Sequence, residues 1–144
     1  MKRTANAHWA GSLRDGKGNI STQSGVLNKT QYSFSTRFED GIGTNPEELI
    51  AAAHAGCFTM ALSSELGKAG LSPETLDTTA TLTMDKTDAG FTITAIHLDV
   101  TAKLPGGGDA AKFQEVAAGA KKNCPVSRVL NATITMDAKL SPTV

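Results

Sequence analysis

The stretch that decides the fold runs from Pro46 to Leu62 and reads PEELIAAAHAGCFTMAL. Pro46 and the two acids after it are typical of a helix start, because proline is tolerated in the first turn and carboxylates favour the positive end of the helix dipole. From Leu49 to Leu62 nearly every side chain is apolar or small, so the helix has no wide polar face and is predicted to be buried on all sides. Cys57 stands in the middle of it, one turn after His54. A cysteine near a histidine in a buried helix is a candidate for chemistry.

Length and charge limit what the chain can be. Its 144 residues predict one domain, residues 1–144, large enough to bury a core without disulfides or metals. Fourteen basic and fourteen acidic residues cancel, which argues against nucleic acid or an anionic membrane as a partner. The apolar stretch of about fourteen residues is short of the roughly 20 that a membrane span needs, and the polar N-terminus lacks the apolar core of a signal peptide. We therefore expect a soluble, cytoplasmic protein.

Periodicity and turn signals predict strands before the cysteine-bearing helix. Residues 8–13 and 19–24 are expected to pair as a hairpin around the turn at 15–18. Residues 31–39 alternate apolar and polar side chains with period two, which is typical of a half-buried strand and places Arg37 on it.

The second half of the chain predicts a long hairpin followed by helices. The hairpin turns at 88–90, and the phase of its second strand slips at Ala95–Ile96, which indicates a β-bulge. A helix over 110–122 with Asp109 as its cap, a short helix over 125–130 and a strand over 133–140 complete the chain. This order predicts an α+β fold with mostly antiparallel sheets around a buried central helix.

Cys57 can react only as a thiolate. With a reference pKa near 8.5, about 3% of a thiol is ionised at neutral pH, and burial lowers that fraction further. Because Cys57 is in the middle of a helix, it cannot use the dipole at the start of that helix. It needs a cation nearby, or it is an inert, buried side chain as free cysteines commonly are.

Cys124 precedes Pro125, which suits the first position of a helix, so its sulfur is expected to face free N–H groups there. Lys121 and Lys122 add positive charge, and both effects lower a thiol pKa. Two cysteines in a reducing compartment are more often catalytic, metal-bound or inert than a structural disulfide. Cys57 and Cys124 could form a redox pair, one attacking and the other resolving.

Arg37 is the candidate cation. A guanidinium about 4 Å from a thiolate would contribute roughly 4 kcal/mol at an effective dielectric of 20, enough to offset moderate desolvation. The alternative is an exposed arginine paired with Glu39. Glu47 could orient Arg37, but it lies about 15 Å from Cys57 along a regular helix and could act only through a bridging side chain.

His54 leaves two further alternatives open. It could be the base of a cysteine hydrolase with Cys57, or a hydrogen-bonded packing residue. Cys57, Cys124 and His54 could also bind zinc, although the chain has no CxxC or HxxxH pair.

Three segments resemble the OsmC/Ohr family of osmotically inducible and organic hydroperoxide resistance proteins. They are NPEEL at 45–49, AAHAGCF at 52–58 and NCPVS at 123–127. The form AAHA, the segment SGVLN at 24–28 and the run GTNPEEL at 43–49 resemble the OsmC branch in particular. The resemblance covers residues 7–140.

The resemblance implies a thiol peroxidase of organic hydroperoxides that serves the response to oxidative or osmotic stress, without a cofactor or metal. Cys57 would attack the peroxide and become a sulfenic acid, and Cys124 would resolve it as an intramolecular disulfide. Arg37, held by Glu47, would stabilise the thiolate. The family fold implies an intertwined homodimer, and the reductant would be a dithiol such as dihydrolipoamide or a lipoylated protein.

Two features of the residues favour the same conclusion. An uncharged helix surface around Cys57 suits an apolar pocket for an alkyl peroxide. A helix that is hydrophobic all round also needs more cover than one small sheet gives, which a partner subunit would supply. The competing hypotheses are the Cys57/His54 hydrolase and a non-catalytic dimeric or metal-binding module.

Overall fold

Two three-stranded sheets, four α-helices and a one-turn 3-10 helix (Pro105–Gly107) make up the α+β fold of residues 1–142, the part of the chain that the computed structural model describes. The α+β class is confirmed. The chain forms two compact units, one up to Leu49 and one from Ile50 onward.

The first unit contains an antiparallel sheet of strands β1 (Ala5–Ala10), β2 (Lys17–Thr22) and β3 (Thr30–Tyr32). The predicted hairpin is confirmed, with each arm beginning two or three residues earlier. Gly18 pairs with Trp9 on one side and with Tyr32 on the other, and a Cβ at Gly18 would lie 2.6 Å from the Trp9 ring and 2.5 Å from the Tyr32 ring. The missing side chain therefore lets the two rings approach, with centroids 5.4 Å apart.

The strand predicted over 31–39 is wrong, because β3 ends at Tyr32 and a short helix, α1 (Phe34–Phe38), follows. Ser33 begins that helix with a capping box. Its side chain accepts a hydrogen bond from the Thr36 N–H, and the Thr36 hydroxyl oxygen accepts one from the Ser33 N–H at 2.8 Å. These bonds satisfy N–H groups at the helix start, so the alternating pattern of side chains does not produce a strand. Arg37 therefore lies in the last turn of a helix.

Helix α2 (Pro46–Lys68) begins at the predicted proline, and Gly70 follows its end at φ +78°. Its buried residues form one stripe at intervals of four: His54, Phe58, Leu62 and Leu66. The burial on all sides that we predicted is not found in the single chain, since Met60 is 77% exposed. The stripe is buried in the core of the second unit, Ile50 and Ala61 are partly buried against that core, and Met60 is left exposed.

The second unit contains a sheet of β4 (Thr75–Thr87), β5 (Gly90–Lys103) and β6 (Thr133–Leu140), in which β5 pairs antiparallel with β4 and parallel with β6. The register between β4 and β5 shifts at Thr83/Met84, which leaves Thr94 as the extra residue, one position from the predicted bulge. The predicted hairpin and the final strand are confirmed.

Two helices of the second unit lead to Cys124. Helix α3 (Ala110–Asn123) begins with the predicted cap, since the Asp109 side chain accepts hydrogen bonds from the N–H groups of residues 111 and 112. Helix α4 (Pro125–Val129) follows with Cys124 between the two helices. The core of this unit is formed by apolar side chains of α2, β5 and α3 together with Cys124, among them Phe58, Leu98 and Phe113.

Among the described residues, α2 is the one helix long and apolar enough to cross a membrane, with a mean hydropathy of 1.3 over an 18-residue window. It is longer than the predicted apolar stretch because polar residues extend it at both ends. The core helix of a soluble protein satisfies the same criterion. Length and composition of α2 therefore do not by themselves distinguish a membrane span from a core helix.

Candidate functional site

The two cysteines meet. Cys57 on α2 and Cys124 between α3 and α4 are free thiols, and their sulfur atoms lie 3.1 Å apart with the Cys124 thiol donating toward Cys57 Sγ. Cys124 is buried and Cys57 is partly exposed. They are separated by 67 positions, so no local sequence pattern could place them together. The distance is short enough for a disulfide to form after a displacement of about 1 Å, because a disulfide joins its sulfurs at about 2.05 Å.

The surroundings of Cys57 act on its ionisation in opposite directions. Burial raises the pKa of the Cys57 thiol, and the neighbouring Cys124 adds to the rise. A hydrogen bond from the Val126 backbone N–H to Cys57 lowers the pKa. The rise is larger than the reduction, so the pKa of Cys57 lies above its ordinary value and the thiol is mostly protonated at neutral pH.

The N–H groups at the start of α4 do not bond Cys124, the residue that we expected. We predicted that they would face Cys124, but the Cys124 side chain makes no capping hydrogen bond. The Val126 N–H bonds Cys57 instead. The reason is that Cys124 is also the last cap of α3, where its own N–H donates to Ala120 O, and its sulfur turns toward Cys57. No sequence pattern indicated that the Val126 N–H would bond Cys57.

Arg37 and Glu47 form an ion pair in the first unit. Arg37 Nε donates to Glu47 Oε1 at 2.7 Å, with 40% of the Arg37 side chain and 14% of the Glu47 side chain exposed. The guanidinium also lies 5.3 Å from the centre of the Phe38 ring. The partner is therefore the acid in the first turn of α2 and not Glu39, which was the alternative. The other oxygen, Glu47 Oε2, is buried and has no hydrogen-bond partner among the described residues.

Arg37 lines a small, mainly apolar cavity of about 290 Å³ in the first unit. Aromatic and aliphatic side chains form most of its wall, from Trp9, Leu13, Tyr32, Phe34 and Phe38. Sequence reasoning expected an apolar pocket around Cys57 and did not identify these residues. The signal lay in the clustering of the chain's few aromatic residues near Arg37, which an assignment to one strand obscured.

His54 is fully buried on α2, and its Nε2 atom lies 2.7 Å from the Ser127 hydroxyl on α4. Burial lowers the pKa of His54, so the imidazole is neutral at physiological pH. The Nδ1 atom is buried without a hydrogen-bond partner among the described residues. Of the two alternatives left open for His54, its burial and its hydrogen bond to Ser127 favour the packing residue.

Within residues 1–142, one group of side chains could hold a metal ion on geometry alone. His97, Asp99 and Asp137 present ligand atoms within 4.8 Å of one another on β5 and β6. Sequence reasoning missed the group because the parallel pairing of β5 with β6, which brings residue 137 beside residues 97 and 99, has no local signal. Both carboxylates are exposed, and exposed acidic groups are common without an ion, so we assign no function to this group.

The four predicted site residues form two separate pairs. Cys57 contacts Cys124 in the second unit, and Arg37 contacts Glu47 in the first.

Comparison with known proteins supports one family. The model of the family described as OsmC-like protein matches residues 39–139. The chain is 54% identical to peroxiredoxin OsmC of Escherichia coli (strain K12) over 97% of each chain. It is 29% identical to organic hydroperoxide resistance protein OhrB of Bacillus subtilis (strain 168), over 85% of this chain and 88% of that protein. The crystal structure of the Bacillus subtilis protein covers 94% of this chain and 98% of its own, with a TM-score of 0.73 and 26% identity.

Proposed function

The chain belongs to the OsmC family, as its motifs predicted, and we propose that it is a thiol-dependent peroxidase that reduces organic hydroperoxides to alcohols. The observation that carries this proposal is the 3.1 Å separation of two free cysteine sulfurs. A pair of thiols at that distance can pass through a sulfenic acid and a disulfide without a cofactor. The names of the two relatives, a peroxiredoxin and an organic hydroperoxide resistance protein, agree with this chemistry.

In the first step, the Cys57 thiolate attacks the terminal oxygen of the hydroperoxide. The S–O bond forms as the O–O bond breaks, Cys57 becomes a sulfenic acid, and the alkoxide takes up a proton and leaves as the alcohol. Cys57 is the attacking residue in this account because it is the more accessible of the two thiols, while Cys124 is buried.

In the second step, Cys124 attacks the sulfur of the sulfenic acid. The S–S bond forms, the S–O bond breaks, and the hydroxyl leaves as water with the proton of the Cys124 thiol. A dithiol reductant then restores both thiols. We propose that this reductant is dihydrolipoamide or a lipoylated protein, as the family resemblance implies.

Arg37 supplies the positive charge in this proposal. It stabilises the Cys57 thiolate and the oxygen that leaves, and Glu47 holds the guanidinium in place. The Arg37–Glu47 bond at 2.7 Å supports the second role, because a single, well-oriented contact limits the directions the guanidinium can take. The net rise in the Cys57 pKa supports the first role, since it means that a cation is needed.

The cavity beside Arg37 supports an apolar substrate. Its aromatic wall would bind the organic group of a hydroperoxide. Hydrogen peroxide has no organic group, so the same wall would add little to its binding. This proposal predicts a preference for organic hydroperoxides.

The hydrolase alternative is not favoured, because it needs His54 as a base for Cys57. The buried His54 Nε2 bonds Ser127 instead. Because Nε2 is engaged in this bond, it is not available as a ligand for a zinc ion held by the two cysteines.

We further propose that residues 1–144 act as one OsmC-like domain in a cytoplasmic homodimer. The exposed apolar side chains of α2, such as Met60, support a second copy as the cover that this helix needs.

The proposal is tested by cysteine variants in a dihydrolipoamide-coupled assay with cumene hydroperoxide. Cys57→Ser should abolish turnover, because the attacking sulfur is gone. Cys124→Ser should consume about one equivalent of peroxide and then stop with Cys57 as a sulfenic or overoxidised acid.

His54→Ala is the control that separates peroxidase from hydrolase, since a hydrolase would lose its base and the first peroxidase step would change far less. Turnover by Cys57→Ser at the rate of the unmodified protein would contradict the proposal.

A further inference from the structure

His54 occupies an unusual position for a buried polar residue. It is fully buried on α2, three residues before Cys57, and residues at that spacing lie on neighbouring positions of one helix face. Burying an imidazole without a hydrogen-bond partner lowers the stability of the fold, so the one hydrogen bond that His54 makes contributes to stability. That bond runs to a residue 73 positions away, the Ser127 hydroxyl.

Ser127 and Cys124 are connected through one short helix. Both belong to the α4 segment, in which Cys124 is the N-terminal cap and Ser127 lies in the first turn. Backbone hydrogen bonds from Arg128 N to Cys124 O and from Leu130 N to Val126 O close the segment on itself. A displacement of Ser127 therefore displaces Cys124 and the Val126 N–H with it.

Three polar contacts join α2 to residues 124–127 within the described chain. Two of them end on Cys57 Sγ, from the Cys124 thiol and from the Val126 N–H. Both change when peroxide adds an oxygen to that sulfur. The third, from His54 to Ser127, involves no sulfur and so does not depend on the oxidation state of Cys57.

Resting on the peroxidase function proposed above, we propose that His54 and Ser127 are positioning residues, whose hydrogen bond holds Cys124 beside Cys57 while the sulfenic acid is resolved. In that step the S–S bond forms, the Cys57 S–O bond breaks and water leaves. The sulfurs must approach by about 1 Å from 3.1 Å. A held α4 needs only that small movement, whereas a released α4 samples larger separations and reacts more slowly.

This assignment separates the two chemical steps. The attack on peroxide needs Cys57 and its stabilising charge, and α4 contributes only the Val126 N–H. Resolution needs α4 in place. Loss of the hydrogen bond should therefore slow the second step much more than the first, and the longer-lived sulfenic acid should be oxidised further to the sulfinic acid.

The test uses Ser127→Ala, with Ser127→Thr as the variant that keeps the hydroxyl. Reduced protein is mixed with one equivalent of cumene hydroperoxide, and peroxide loss and disulfide formation are followed by rapid quench, with dimedone to trap sulfenic acid. We expect peroxide loss within about twofold of the unmodified protein and disulfide formation roughly tenfold slower, because a factor of ten corresponds to about 1.4 kcal/mol, which is within the free energy lost when a buried hydrogen bond loses one partner. Dimedone labelling should increase, and Ser127→Thr should restore the original rate.

Thr78→Ala is the matched control. The Thr78 hydroxyl lies 2.8 Å from that of Thr59 on α2, so this variant removes a comparable hydrogen bond of the same helix, but one that leads to β4. Both steps should keep their original rates in it. Equal slowing by Thr78→Ala and Ser127→Ala would reduce the effect to a general loosening of α2 and overturn the proposal. Disulfide formation in Ser127→Ala at the original rate, or equal slowing of both steps, would also overturn it.

A second measurement does not use peroxide and so stands apart from the peroxidase function. The thiol–disulfide equilibrium of Cys57 and Cys124 against glutathione reports how well the sulfurs are positioned in the reduced protein. A tenfold lower tendency to form the disulfide in Ser127→Ala corresponds to a potential about 30 mV higher. An unchanged potential overturns the proposal, while inert thiols toward peroxide in the unmodified protein would refute the peroxidase function alone. His54→Leu, which removes the imidazole and leaves an apolar side chain, breaks the same hydrogen bond and provides the same comparison if Ser127→Ala does not fold, with His54→Gln as the variant that keeps a polar group able to bond Ser127.

Discussion

At the scale of single residues, the reactivity of Cys57 depends on charge. Burial and the second thiol raise its pKa, and one backbone N–H opposes them. The need for a cation followed from the sequence, because a thiol in an apolar helix is poorly ionised. The partner of that cation did not follow from the sequence, because Glu39 and Glu47 were both within reach of Arg37 along the chain. The ion pair in the structure shows that the partner is Glu47.

With Arg37 in its proposed role, Glu47→Gln should lower kcat/KM for cumene hydroperoxide, because the neutral amide holds the guanidinium less firmly and the thiolate is then stabilised less well. About half of the 4 kcal/mol that a guanidinium near a thiolate contributes corresponds to roughly 30-fold. The pH dependence of Cys57 alkylation should shift to higher pH in the same variant.

Glu39→Gln is the matched control, since it removes the neighbouring acid that does not bond Arg37. It should leave both the kinetics and the alkylation profile unchanged. Equal losses in the two variants would show that general negative charge, and not the Glu47 contact, holds Arg37.

At the scale of secondary structure, most elements could be predicted and α1 could not. Helix α2, the hairpin of β4 and β5, α3, α4 and β6 follow from periodicity, caps and glycines that act locally. Residues 31–39 have the alternation of a strand, but residues 34–38 form a helix. The capping box at Ser33 favours the helix because it satisfies backbone N–H groups that a strand at this position could bond only to a neighbouring strand. The meeting of Cys57 with Cys124 and of His54 with Ser127 depends on how α4 packs on α2, for which a single sequence has no signal.

Gly18→Ala should destabilise the first unit. A Cβ at this position would press on the rings of Trp9 and Tyr32, and overpacking of this kind costs about 1–3 kcal/mol. Thermal or urea unfolding measures the loss. Gly25→Ala is less suitable as a control because Gly25 has φ +80°, whereas Gly56→Ala places a Cβ in open space and should not destabilise the single chain. Equal stability of Gly18→Ala and the unmodified protein would contradict the close packing of the two rings.

At the scale of the whole molecule, part of the apolar surface of α2 is not buried by the rest of its own chain. The stripe from His54 to Leu66 faces the core, while Met60 is 77% exposed. The sequence predicted a helix that needs cover on all sides, and the single chain provides part of it. A second copy is the occupant that we propose for the remainder.

Met60→Lys should weaken the proposed homodimer, because it would place a charge in an apolar contact that loses water on association. Analytical ultracentrifugation at micromolar concentration should show monomers for this variant and dimers for the unmodified protein. Ala118→Lys, at an exposed position of the more polar helix α3, should remain dimeric. A dimer of unchanged affinity in Met60→Lys would exclude this face of α2 from the interface.

The central claim is that Cys57 and Cys124 of one chain form a redox pair. The most direct measurement is peptide mapping by mass spectrometry of the reduced protein before and after one equivalent of cumene hydroperoxide, with thiols blocked under non-reducing conditions. The account predicts the loss of both free thiols and a disulfide between Cys57 and Cys124 within one chain. Two thiols that survive the peroxide, or a disulfide that joins different chains, would contradict it.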